Sequence, residues 1–164
     1  MKSERGSFQP ISREQLFKEL VHDSYKAGRK LREPTRCPDC GAVFQSGRWT
    51  WGTAAAAAHE ERCPACHRIH DKFPAGFVAL KGEFLLQHRD EILHLMRNHE
   101  AKEKAEHPLQ RIMAVVDSAD GVMVTTTDAH LARDLAQALQ HAYKGELEFH
   151  YNKEDNLLRA TWNR

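Results

Sequence analysis

The chain has 164 residues, enough for one ordinary domain or two small ones, and its 41% hydrophobic and 29% charged residues are normal for a soluble globular protein. Its formal net charge is +1, so bulk charge attracts no partner and only the distribution of charge can. No apolar run reaches the roughly 18 residues that a membrane-spanning helix needs, and the charged N-terminus has no apolar core of a secretory signal.

Residues 1–10 are polar and aperiodic and read as a mobile tail. Ser12 and Gln15 form a capping-box pattern, and Leu16 and Leu20 then give a modest apolar stripe. Together they predict a helix over about residues 13–30, inside a basic segment spanning 11–36 that Pro34 closes. Cys37-Pro-Asp-Cys40-Gly41 follows. Residues 42–45 and 48–51 read as two short strands around a tight turn at Ser46-Gly47. The alanine run at 54–58 favours a short helix ending near Cys63, because Pro64 disfavours helix in the residue before it. Then comes Cys63-Pro-Ala-Cys66, with a strand expected over 77–81.

From residue 83 to 106, Leu85, Leu86, Ile92, Leu93, Leu95 and Met96 recur at roughly helical spacing and predict a long helix. His107-Pro108 closes it and marks a domain boundary. Residues 111–117 and 122–127 are β-rich runs around Ser118-Ala-Asp-Gly121. Thr127 or Asp128 caps a helix whose Leu131, Leu135, Leu139 and Ala142 share a face, and Gly145 stands where a C-terminal cap belongs. A second hairpin is expected from 146–151 and 157–162. The expected fold class is α+β: tail (1–10), basic helix (11–36), zinc ribbon (37–82), long helix (83–107) and a ββαββ domain (108–164).

Cys37, Cys40, Cys63 and Cys66 carry the strongest chemical signal. Each Cys-x-x-Cys turn brings two sulfurs close enough to share a metal, and the 22 residues between the pairs leave room for a hairpin before the chain returns. Four thiolates make a closed tetrahedral shell, which is a structural site for one zinc rather than a catalytic one. Binding energy then becomes folding energy for a module with few apolar runs. Iron, held as in rubredoxin-like proteins, is the alternative metal. Disulfide exchange is disfavoured, because no βαβ unit surrounds either pair. His67 and His70 could replace a ligand, but four cysteines suffice. His59, His88, His94 and His99 form no His-Glu-x-x-His pattern.

Basic and aromatic residues flank this module. Arg29, Lys30, Arg32, Arg36, Arg48, Arg62, Arg68 and Lys72 form a basic rim that suits a phosphate backbone, with a solvated face as the competing reading. Trp49 and Trp51 alternate with Arg48 along a strand. They could stack on unpaired bases, although we favour their covering the metal site. There is no phosphate-binding Gly-rich loop and no nucleophile elbow, so no enzyme is expected.

The two Cys-x-x-Cys motifs, followed by a hairpin that leads into an Ala-rich helix over 125–136, resemble the N-terminal zinc region of the large-ribosomal-subunit export adaptor family (nonsense-mediated decay protein three). The layout is also similar to that of short, little-characterised bacterial proteins. The family's larger members carry more Cys-x-x-Cys pairs and further domains, so the resemblance implies ribosome binding rather than export. The expectation is a cytoplasmic, non-enzymatic protein that binds ribosomal RNA or a ribosomal subunit. The alternative is a zinc-stabilised adaptor that docks a protein partner through helix 83–106.

Overall fold

The computed structural model describes residues 9–10, 25, 29–53 and 58–164. Most of the expected helix over 13–30, of the tail and of the alanine run lies outside these residues; of that helix Tyr25, Arg29 and Lys30 are described, and Arg29 and Lys30 are not helical. The first elements are β1 (Gln9–Pro10), β2 (Thr35–Arg36), β3 (Val43–Gln45), β4 (Arg48–Thr50), β5 (His59–Glu60) and α1 (Pro64–Asp71). Next come β6 (Gly76–Lys81), α2 (Glu83–Glu106), β7 (Ile112–Ser118) and β8 (Gly121–Thr126). The chain ends with α3 (Ala129–Tyr143), β9 (Glu146–Asn152) and β10 (Leu157–Asn163). The architecture is therefore mixed α/β, with three helices and two sheets among the described residues.

The smaller sheet has the order β4-β3-β2-β5. Its hairpin turns at Ser46 and Gly47, both with positive φ (53° and 77°), as a two-residue turn matched to strand twist requires. β5 returns parallel to β2, with Arg36 opposite Glu60. This pairing sets Cys37 and Cys63, just beyond the two strands, side by side.

The larger sheet has the order β1-β9-β10-β6-β8-β7. The expected ββαββ elements are all present, but they do not form a sheet by themselves. β6, which the sequence placed with the zinc ribbon, lies between them, parallel to β10 and antiparallel to β8. The boundary expected at 107–108 therefore does not separate two sheets: without β6, neither β8 nor β10 has an inner neighbour. The reason is apolar alternation. Val78 and Leu80 project to the face that also carries Val122, Val124, Leu158, Ala160 and Trp162, and all are buried.

α3 covers that face with Leu131, Leu135 and Leu139, and α2 adds Leu85, Ile92 and Met96. Asp128 caps α3 by accepting from the Leu131 amide at 3.0 Å. α3 lies close enough that a Cβ on Gly76 would stand 2.4 Å from the Ala132 Cβ, which is why that strand starts with glycine. No helix among the described residues is long and apolar enough to cross a membrane.

Candidate metal centre and adjoining cleft

The four cysteines converge. Their sulfurs all lie within 4.8 Å of one another, and Cys37, Cys63 and Cys66 are buried. Cys40 and Cys63 are 3.8 Å apart, about the edge of a tetrahedron of sulfurs around zinc at a Zn–S bond of about 2.3 Å. All four are free thiols. They are the only such metal-ligating group among the described residues; His67 and His70 are not part of it.

Local sequence explains the geometry. The first pair sits on a turn in which the Gly41 amide donates to the Cys37 carbonyl at 2.9 Å and Gly41 takes φ 80°. The second pair opens α1. Cys63 is its N-cap, Pro64 supplies the fixed φ of the first turn, and the Cys63 sulfur accepts from the Cys66 amide at 3.4 Å. Two more amides aim at sulfur: Ala42 to Cys40 at 3.5 Å, and Cys63 to Cys37 at 3.3 Å. Amide donors of this kind favour thiolate over thiol.

The largest charge beside the sulfurs is one the sequence did not single out. Arg111, just ahead of β7, is 8% exposed. Its Nη1 donates to Cys66 Sγ at 3.3 Å and its Nη2 to Cys63 Sγ at 3.8 Å, while Nε donates to the Pro108 carbonyl at 2.8 Å. The Trp51 ring lies over it at 5.8 Å, and the Trp51 indole N–H is tied to the Lys104 carbonyl at 2.6 Å. Leu109 packs on the cysteine cluster. The metal-ligating module is thus fastened to the corner between α2 and β7.

Burial opposes ionisation of these thiols. At Cys40 the Ala42 amide and the Arg111 guanidinium outweigh it, and the thiol falls from 9.0 to about 7. At Cys66 burial wins over Arg111 and pushes the thiol up to about 11. Burial, with the charge of neighbouring sulfurs, pushes Cys63 up as well. The Arg111 guanidinium loses hydration, yet the Cys40 and Cys66 sulfurs hold it firmly in its charged form. A buried shell of four sulfurs fits one soft tetrahedral cation, and its arrangement is compatible with a structural zinc.

The expected basic and aromatic residues divide into four groups. Arg29, Lys30, Arg48, Trp49 and Arg62 line one cleft of about 530 Å3, which runs between the metal-ligating module and the 107–110 corner. Arg32, Arg36 and Lys72 are exposed but do not line it, and Arg36 pairs with Glu60 at 2.6 Å. Trp51 is committed to Lys104 and Arg111. Arg68 corrects the expectation: it is 1% exposed, its guanidinium lies 4.4 Å from the centroid of the Tyr25 ring, and it donates to the Phe73 carbonyl. It is a packing residue, because α1 turns it inward under two aromatic rings. No protein-family model matches this chain, and no curated protein or solved structure matches it either.

Proposed function

We propose that this chain is a non-enzymatic zinc-ribbon protein of the cytoplasm, that it holds one structural zinc through Cys37, Cys40, Cys63 and Cys66, and that it binds structured RNA on the ribosome or its large subunit. Four mutually close thiols with amide donors and a buried arginine suit a divalent metal that needs charge balance and no open position. Iron would fit the same donors, and metal analysis separates the two. The resemblance to the export-adaptor zinc region points the same way for the ribosome.

The observation that carries the RNA reading is the cleft beside the cysteines. Among the described residues, Arg29, Lys30, Arg48 and Arg62 stand on its walls against two acids, Glu61 and Asp128, in a chain whose net charge is only +1. Arg62 is engaged by Asp39 at 2.5 Å and Arg29 more loosely by Glu61 at 3.8 Å. Lys30, Arg32 and Arg48 have no carboxylate partner among the described residues, which leaves them available to phosphate. The adaptor alternative has less support, since Leu86 is the only exposed large hydrophobic residue on α2.

The test is affinity purification from cells at low salt, with and without nuclease, followed by co-sedimentation with ribosomal particles. Ribosomal RNA should co-purify, and binding should fall steeply with salt. Reversing Lys30, Arg32 and Arg48 together should flatten the salt slope by about 2–3 units and leave metal content intact. A triple variant that co-sediments like wild type with the same slope refutes this surface. If wild type never co-sediments, the adaptor reading through α2 becomes the better one.

A further inference from the structure

The cleft contains more than charge. Trp49 is half-buried, packs against the cysteine cluster on one side and lines the cleft on another. Phe44, opposite it on β3, meets its ring edge-on, with centroids 5.6 Å apart and planes at 62°. The indole is therefore set in place before any ligand arrives, so that stacking on it costs little ordering entropy. β4 is the edge strand of its sheet, so Arg48 and Trp49, which point to opposite faces, both reach the cleft that wraps this edge. Lys30 supplies a second cation on the same walls, with no carboxylate partner among the described residues. A volume of about 530 Å3 lies within the roughly 300–1,000 Å3 usual for sites that enclose a small ligand. Duplex RNA offers a backbone but no free base to fill such a hollow, whereas a single strand offers both.

We infer that this cleft takes one unpaired nucleotide of single-stranded RNA, with its base stacked on Trp49 and its phosphate held by Lys30 and Arg48. The inference rests on the RNA-binding reading and deepens it: an unpaired loop or bulge of the structured RNA is what enters. Each part has its own signature. Stacking tolerates any base and carries no salt dependence, while the two cations set part of the salt slope.

The experiment compares a short fluorescein-labelled single-stranded RNA with the blunt duplex of the same strand, using the metal-loaded protein and fluorescence anisotropy. W49A should weaken single-strand binding about 5–100-fold with an unchanged salt slope and leave duplex binding alone. The pair K30E and R48E should weaken single-strand binding and reduce its slope by about 1.4. Trp49 packs on the cysteines, so metal content is checked in every variant. If W49A loses metal, W49F replaces it: saturating single-strand RNA should quench tryptophan emission in wild type and not in W49F. The inference is overturned if W49A binds the single strand like wild type, if it weakens both RNAs equally, or if no quenching separates wild type from W49F. RNA binding itself survives those results wherever wild type still binds the duplex, and it fails only if wild type binds neither RNA.

Discussion

Arg111→Met removes the charge beside the sulfurs while keeping most of the stem that fills the space. In the wild type the guanidinium reaches Cys66 at 3.3 Å and Cys63 at 3.8 Å in a site where Arg111 is 8% exposed. Four thiolates and one divalent cation carry a formal charge of about −2, and the arginine halves it. A hydrogen bond to a charged group contributes about 1.5–3 kcal/mol. Partners one layer out from a metal typically change its affinity by about 10–100-fold. The variant should therefore bind zinc about 10–100-fold more weakly, a loss of about 1.4–2.8 kcal/mol. Arg111→Lys should fall between, since a compact ammonium keeps the charge but loses the planar fork that spans two sulfurs and the Pro108 carbonyl. The assay is competition against a chelator of known zinc affinity, with hydrogen exchange over residues 37–72 as a second readout. If R111M matches wild type in both, Arg111 only fills space and the charge-balance argument is wrong.

Cys40→Ser should abolish tight metal retention, and chelation of the wild type should expose residues 37–72 to protease before the six-stranded sheet, because all four clustered thiols lie between residues 37 and 66. Leu135 is fully buried in the α3–sheet core, so Leu135→Ala should cost about 2–5 kcal/mol in denaturant unfolding and leave metal content unchanged. Zinc affinity should fall as pH falls. Burial raises the Cys63 thiol, and the Cys66 thiol to about 11, so the metal must displace at least those two protons near neutral pH. A plot of log affinity against pH that is flat between about pH 6 and 8 would contradict the burial of those thiols.

Local signals were legible in the sequence, and long-range ones were not. The paired cysteines, the turn at Ser46-Gly47, the helix Glu83–Glu106 and the Asp128 cap each announce themselves within a few residues, and each is present, the helix with a kink at His88. α1 is not expected from the sequence, where Pro64 reads as a breaker, although at the first helical position its fixed φ starts a helix. β2 and β5 are two residues long, too short for any periodicity, so the parallel pairing that brings the cysteine pairs together could not be read. β6 was recognised as a strand but given to the wrong neighbour, since a parallel pairing with a strand some eighty residues on leaves no local mark. Arg111 and Arg68 look like surface cations by type. Only the packing reveals that one faces sulfur and the other lies under Tyr25.

The charge-balanced centre built on Arg111 requires the four cysteines to share one zinc, and native mass spectrometry of the purified chain, paired with thiol alkylation, tests that most directly. One zinc per chain should be found, with four cysteines that resist alkylation until a chelator removes the metal, after which all four react. Iron in place of zinc, a chain with two disulfides, or a metal-free chain whose cysteines are alkylated at once would contradict it.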